Sequence, residues 1–586
     1  MTTDQNYQQI YRVGGMLDAG FVGQITYTIS LDQVYDELDI HFSFDKRLYS
    51  ESDVTPELID RLQTLCTAKY DAPTYPVEEF RQTILHEMKT EIHTMAELND
   101  NFIGCIHRQL TDRHMLYTKE FTSDGCLAQD TFSGVLKVTV LVFNVLLDNT
   151  QYTLTVSGHP VGQGVIAPNF NLMDTLKTAA GNAGASNAAG SADNSCDAES
   201  APASAVATAG SSGVSGAGSA ATAGDSSTTG SSSAGNTVTA STRFKRLELH
   251  NHTVESDGSL TCQELTEYLA ADHVDAFAIT DHNTTSGQKK IEQLLEEKHY
   301  PISLIRGMEY TTYFGHILCL NLAKYVPWNS IDQHRPELLF EAAREKGALV
   351  GIAHPFSYGD PFARGCRFEM TISDYSKVDF IEIFNNPEPL HEVNERGTNL
   401  WMSLIFSGYQ ITATSGMDLH NRAKLAGCYA TYIEGKNGGN IASELDTAIH
   451  THRTWVSKGA LLLTEVLPET NELLLTFTDA HKTGFAVPKT AQAVLKGKDK
   501  TFTTSVSLDK PVRVSLNQLS GTDPIIPLLY EAPGTNSAAV VSNAAAASTS
   551  CSNTADASSA AGQLKEIDAL PAIEGLLCIS PVLYRD

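Results

Sequence analysis

The stretch LHNHTVESDG, residues 249–258, places two histidines two positions apart at the end of the apolar run FKRLEL, with Asp257 five residues further on. In extended backbone, alternate side chains point the same way, so His250 and His252 face one direction. Alone, such a pair is more often a polar strand end than a metal site. The surrounding residues separate the two readings. Between about residues 243 and 464, short apolar runs (FKRLEL, VDAFAIT, ISLIRG, ALVGIA, DFIEIF, YQITATS) alternate with helical patterns near 259–271, 285–298, 332–346 and 391–407. Thr261 with Glu264 is a capping-box signature, and Gly347 and Gly408 follow helices as stop residues. Strand alternating with helix predicts an α/β architecture with parallel strands and right-handed crossovers.

The ends of these strands share a chemistry. They run into His250 and His252; Asp281 and His282; Glu309 with His316 seven beyond; His354; Asn385; and Asp418 with His420. In a (β/α) barrel such C-terminal ends converge on one face, where active sites lie. Imidazole and carboxylate without thiolate suit zinc, manganese or iron(II). Two or three ions about 3.5–4 Å apart would generate a hydroxide nucleophile and steady the attacking and leaving oxygens. His450 and His452 repeat the two-residue spacing without a following acid, which reads as surface. His273, His299, His334 and His391 read as solvated or locally capped.

The remaining sequence bounds the rest. The chain has 586 residues, 42% of them hydrophobic, and a net charge of −28. That length predicts two or three domains. The charge argues against long nucleic acid as a partner but not against a short nucleotide in a cation-rich pocket. Ten scattered cysteines without a CxxC pair fit reduced thiols. The absence of a long apolar run and of a signal-like start leads to an expected cytoplasmic location, with no membrane partner. Residues 176–241 and 536–562, rich in Ala, Ser, Gly, Thr and Asn, read as a disordered linker and a low-complexity insertion. The expected division is 1–175, an α+β or β-rich region containing a helix over about 77–98 and no evident chemistry; 176–241, linker; 242–464, metallohydrolase barrel; and 465–586, a β-rich tail whose strands could pack with the N-terminal ones.

The motifs HNHTVESDG, TDHN, GMEY, AHP and MDLH resemble the PHP (polymerase and histidinol phosphatase) domain family over roughly residues 243–421. The continuations GMEYTTYFGHILCL and IEIFNN…LWMSLIFSGYQITATSGMDLH resemble its CehA/McbA-type branch, which includes carbamate and amide hydrolases. The resemblance implies a distorted (β/α)7 TIM-like barrel holding two or three divalent ions (Mn, Zn or Fe). His250, His252, Glu309 and Asp418 would hold one ion. Glu309, His316 and His354 would hold a second, with Glu309 bridging, and Asp257, His282 and His420 a third. Met417 departs from the small residue often found before the aspartate of the last motif.

The expected activity is metal-dependent hydrolysis. The favoured form is a phosphoesterase acting on a small phosphate, a nucleotide or an oligonucleotide end, with Asp257, His420 and Glu309 as catalytic groups. A carbamate, ester or amide hydrolase and a non-catalytic metal-binding scaffold are the alternatives. Arg306 and Arg422 could bind phosphate or form surface salt bridges. Asn385 could touch substrate or cap a turn, and Asp281 could orient a ligand histidine or start a helix.

Overall fold

The structure, a computed structural model, describes residues 7–70, 75–161, 243–328, 335–385, 392–480, 485–521, 523–532, 564–567 and 569–584. The expected linker and low-complexity insertion, together with His334 and His391, lie outside the described residues.

The first region is an antiparallel sheet of β1 (Gln8–Leu17), β2 (Gly23–Phe44), β3 (Glu91–Leu98), β4 (Asn101–Ile106), β5 (Asp112–Tyr117), β6 (Phe132–Asn144) and β7 (Thr150–Pro160). Its order is β1-β7-β2-β6-β3-β4, with β5 also pairing with β2. Between β2 and β3 lie helices α1 (Pro56–Tyr70) and α2 (Val77–Glu87). The helix expected over 77–98 therefore ends eleven residues early. Met88 turns extended (φ −76°, ψ 131°), and EIHTMAEL becomes β3, seven of whose eight residues are buried between β6 and β4. Pairing on both edges and burial on both faces override the helical propensity of that segment.

The second region begins with β8 (Arg243–Glu248), α3 (Cys262–Ala271), β9 (Ala276–Ile279), α4 (Ser286–Lys298) and β10 (Ser303–Thr312). It continues with β11 (Gly315–Leu320), α5 (Glu337–Arg344), β12 (Leu349–Ile352), β13 (Phe380–Phe384), α6 (Glu392–Phe406) and β14 (Thr412–Ser415). The capping box on α3 forms as expected: Thr261 N donates to Glu264 Oε2 at 2.9 Å and Glu264 N to Thr261 Oγ1 at 3.2 Å. Strands β8, β9 and β10 are mutually parallel, as are β12, β13 and β14. Strand β11 runs antiparallel to both β10 and β12, because a tight turn at residues 312–315 replaces a crossover helix. The strand path curls until the segments beyond β8 and β14 meet at a parallel bridge between Asn251 and Leu419. His252 N donates there to Leu419 O (3.0 Å) and Leu419 N to His250 O (3.1 Å).

The fold is mixed α/β and rich in sheet. The expected strand–helix alternation fails at β10–β11 and again at β12–β13, where the connection holds only a short 3-10 turn at Tyr375–Lys377, and the sheet does not stop at these strands. Beyond β8 it continues through β15 (Ala430–Gly435) and β16 (Thr454–Ser457), with α7 (Ile441–His450) between them in sequence. The tail adds β17 (Ala460–Leu467), β18 (Glu472–Asp479), β19 (Thr490–Lys496), β20 (Thr501–Ser507), β21 (Val512–Ser515), β22 (Ile526–Glu531), β23 (Lys565–Ile567) and β24 (Leu576–Ile579). Strands β24, β22, β19, β20 and β23 extend the same sheet to fourteen strands, while β17, β18 and β21 form a separate three-stranded sheet. The tail thus joins the second region's sheet rather than the first. The eight described cysteines are free thiols. Among the described residues no helix is long and apolar enough to cross a membrane.

Candidate metal centre

The expected ligands converge. Glu309, fully buried within β10, lies between five histidines. Its Oε1 is 2.9 Å from His316 Nδ1 and 3.0 Å from His354 Nε2. Its Oε2 is 3.1 Å from His250 Nε2, 3.4 Å from His252 Nε2 and 3.0 Å from His282 Nδ1. The antiparallel β10–β11 pair brings His316 back beside Glu309, since Thr311 faces His316 in the register. Asp418 Oδ1 sits 2.9 Å from His252 Nε2 and 3.4 Å from His250 Nε2. Asp257 Oδ1 lies 3.3 Å from His420 Nε2 and 3.6 Å from His282 Nε2.

Three groups of ligand atoms fall within 4.8 Å of one another here: His250, His252, Glu309 and Asp418; His252, Asp257, His282 and His420; and His282, Glu309 and His316. The first is the expected set. In the second His252 joins the expected three. In the last His282 stands where His354 was expected, although His354 also reaches Glu309. The residues suit cations. His250 Nε2, both ring nitrogens of His252, Asp257 Oδ1, Glu309 Oε2, His316 Nε2 and Asp418 Oδ1 are buried without a hydrogen-bond partner. Buried polar atoms rarely go unpaired, and a cation satisfies converging lone pairs together.

Electrostatics point the same way. Burial pushes the Glu309 carboxyl up, but His250, His316 and His282 outweigh it and hold it well below the usual range. Burial pushes His250 down, but Glu309, Glu382 and Asp418 hold it well above the usual histidine value. For His420, Asp418 and Asp257 overcome burial and raise it to about 10. His252 and His316, by contrast, are pushed below the usual histidine value, with burial the largest cause. Two residues bear backbone strain, with φ at +52° for Asp418 and +23° for His354. Such conformations cluster at functional sites, where surrounding contacts hold them in place.

Supporting groups that the sequence did not expose lie behind the ligands. Glu382 of β13 places Oε1 3.0 Å from His250 Nδ1, and its Oε2 accepts from His354 N and Asn385 Nδ2, each at 3.0 Å. A carboxylate only accepts, so His250 Nδ1 carries the proton and Nε2 is left for the centre. His354 Nδ1 lies 3.2 Å from Cys366 O, with the same effect. A charged residue inside FIEIF, a strand buried along its whole length, was the available signal for Glu382. Glu248 accepts from Met417 N at 2.7 Å, and burial raises it to about 7. Gly416 is required by close approach: a Cβ there would lie 2.5 Å from His250 Cβ and 2.6 Å from Glu382 Oε1.

The first region also reaches the centre. His107, just beyond β4, places Nε2 3.4 Å from Asp257 Oδ2, and its ring stacks on His282 at 4.1 Å. His93 of β3 packs against it at 4.0 Å, with Nε2 3.1 Å from Glu91 Oε1. Reading 77–98 as helix concealed Glu91 and His93.

The other expected residues are placed as follows. Asp281 accepts from Thr253 N (2.7 Å), Thr253 Oγ1 (2.8 Å) and Ser256 Oγ (2.7 Å), bracing the turn before Asp257 rather than a ligand histidine. Asn385 is buried on Glu382. Arg306 pairs with Glu292 of α4, outside the cluster. The Arg422 guanidinium sits 5.7 Å over the Tyr268 ring. His450, His273 and His299 are exposed, and His452 Nδ1 lies 2.9 Å from Thr412 Oγ1; none joins the centre.

Residues 7–160 match the model of a family of unknown function, DUF6669. An uncharacterized protein of Methanocaldococcus jannaschii is 30% identical over 112 residues, 19% of this chain and 58% of that protein. A protein of Haemophilus influenzae named 5'-3' exoribonuclease is 36% identical over 141 residues, 23% of this chain and 50% of that protein. The 5'-3' exoribonuclease Rnm of Escherichia coli is 34% identical over 79 residues, 13% of this chain and 27% of that protein. The matched stretches thus span between 27% and 58% of these relatives' own lengths. Among solved structures, a two-domain Bacteroides vulgatus protein containing a predicted PHP-like metal-dependent phosphoesterase aligns at 15% identity and TM-score 0.30, covering 46% of this chain and 85% of that one. An amidohydrolase from Chromobacterium violaceum aligns at 16% identity and TM-score 0.23, covering 30% and 87%.

Proposed function

We propose that the chain is a metal-dependent phosphoesterase of PHP type, acting on a small phosphate, a nucleotide or the end of an oligonucleotide. The observation that carries this reading is Glu309, whose two oxygens face separate sets of histidines amid buried unpaired lone pairs. Two or three divalent ions in this cradle (Mn, Zn or Fe) would activate a water and neutralise charge on a phosphoryl group. The names of the 36% and 34% identical relatives favour a nucleic-acid end over other phosphate esters.

The chain's own residues fix the direction of approach. His420, Asp257 and Asp418 are 35, 27 and 24% exposed, whereas the other ligand side chains are buried. Substrate therefore enters over Asp257 and His420. There, with no ion held between them, His420 Nε2 and the Asp257 carboxylate can exchange a proton with the attacking or leaving oxygen. Arg422 remains a candidate for holding substrate charge outside the pocket, being nearer in sequence to the open side, whereas Arg306 is occupied by Glu292.

A panel assay with manganese-loaded protein tests this. Phosphate release from nucleotides or 5'-phosphorylated oligonucleotides is expected, without cleavage of carbamates, amides or carboxylic esters. The reverse pattern would establish the second reading, hydrolysis at carbon. That reading is favoured by the GMEY…GH arrangement, which places Glu309 and His316 on adjoining strands.

A further inference from the structure

We propose that His107, supplied by the N-terminal sheet, is a positioning residue of the ion centre. It holds the outer oxygen of Asp257 so that the inner oxygen and the His282 ring face one cation. This rests on reading the cluster as an ion centre and not on the nature of the substrate.

Asp257 divides its carboxylate. Oδ1 is buried without a hydrogen-bond partner and faces His420 and His282, while Oδ2 faces His107 Nε2 at 3.4 Å. One carboxylate oxygen toward the ion and the other held by a neighbouring donor is the pattern by which supporting residues orient ligands. The stack of the His107 ring on His282, 24° from parallel, fixes a second ligand of the same group. His107 is 5% exposed, and its Nδ1 has no hydrogen-bond partner, so Nε2 is its polar contact.

The placement of His107 is itself secured from both sides. Behind it stand His93, at 4.0 Å, and Glu91, with Gln109 Nε2 2.9 Å from His93 Nε2. In front, the turn that carries Asp257 is tied to the N-terminal loops. Arg108 Nη2 donates to Gly258 O at 3.3 Å, Gly125 N donates to Glu255 Oε2 at 3.0 Å, and Thr284 Oγ1 donates to Gly125 O at 2.9 Å. The segment matched to a family of unknown function would therefore be part of the ion centre's wall.

The test counts manganese(II) bound per full-length chain, with titration affinities, in wild type and in Asp257→Asn, His107→Phe, His107→Gln and Glu91→Gln. Phenylalanine keeps the ring volume without the donor. Glutamine keeps a donor on a smaller side chain. The wild type should bind an ion that Asp257→Asn loses. His107→Phe should weaken that same ion on the order of 10–100-fold and leave the others in place. His107→Gln should recover most of the loss, with both variants melting cooperatively. Wild-type affinity in His107→Phe would overturn the proposal, as would equal losses in the two His107 variants or a wild type with no ion that depends on Asp257. An ion lost in Glu91→Gln but kept in Asp257→Asn would overturn it too, because Glu91, His93 and His107 would then be ligands themselves. Counting ions needs no substrate, so this pattern without phosphate release would remove only the phosphoesterase reading.

Discussion

His250 Nδ1 and Glu382 Oε1 lie 3.0 Å apart in the wall behind the centre, with both side chains buried. This contact fixes which ring nitrogen of His250 is left for the centre, and Glu382 also holds the His354 backbone. Glu382→Ala is expected to lower manganese affinity roughly 10–100-fold. Glu382→Gln, which keeps an acceptor oxygen, should lose less. Titration of the purified variants decides this, and equal affinity in both would show that the contact does not orient His250.

Because the ligand lone pairs belong to the folded chain, ions should stabilise it. At a free concentration a hundred times the dissociation constant, one ion contributes about 2.7 kcal/mol if it binds only the native state. Calorimetry with manganese and then with excess chelator should show a higher Tm with metal. An unchanged Tm would mean that the centre binds no ion tightly.

The join between the two regions offers a third test. Glu255 is 3% exposed, accepts from Gly125 N and Ser286 Oγ, and pairs with Lys290. Glu255→Ala leaves those buried donors unpaired at a cost of about 1–3 kcal/mol. Lys290 is 41% exposed, so the ion pair itself adds little beyond that. Hydrogen exchange should rise first at residues 101–126, on the N-terminal side of the join. A uniform rise over the whole chain would contradict a local role.

The two arginines should separate kinetically. Arg422→Ala is expected to raise KM severalfold with little change in kcat. Arg306→Ala should alter neither, since its guanidinium is occupied by Glu292. Steady-state kinetics on a cleaved panel substrate would check both, and a KM effect confined to Arg306 would reverse the assignment.

The residues that meet around Glu309 were legible in the sequence because strand ends are local features. His250, His282, Glu309, His354 and Asp418 each follow a recognisable apolar run, and parallel strands bring such ends together. What it did not carry depended on partners remote in sequence. EIHTMAEL has the composition of a helix, and only β6 and β4 on its two edges make it a strand, so Glu91 and His93 passed unnoticed. Glu382 was masked by the apolar residues of its own strand. The extension of the sheet into the tail was equally invisible, since nothing in the β24 sequence indicates that it pairs with β16.

The docking of β4 beside the turn that carries Asp257 has a consequence for the order of folding. The group around Asp257 takes one support from position 107 and a ligand from position 420, contacts of very long sequence separation. Loop-closure entropy must be overcome before such contacts can form, which makes them slow. Any ion at Glu309 could be bound once the second region has folded, whereas the position at Asp257 is complete only after the N-terminal sheet has docked. Refolding followed by metal uptake should therefore show two phases, with the ion at Asp257 arriving last.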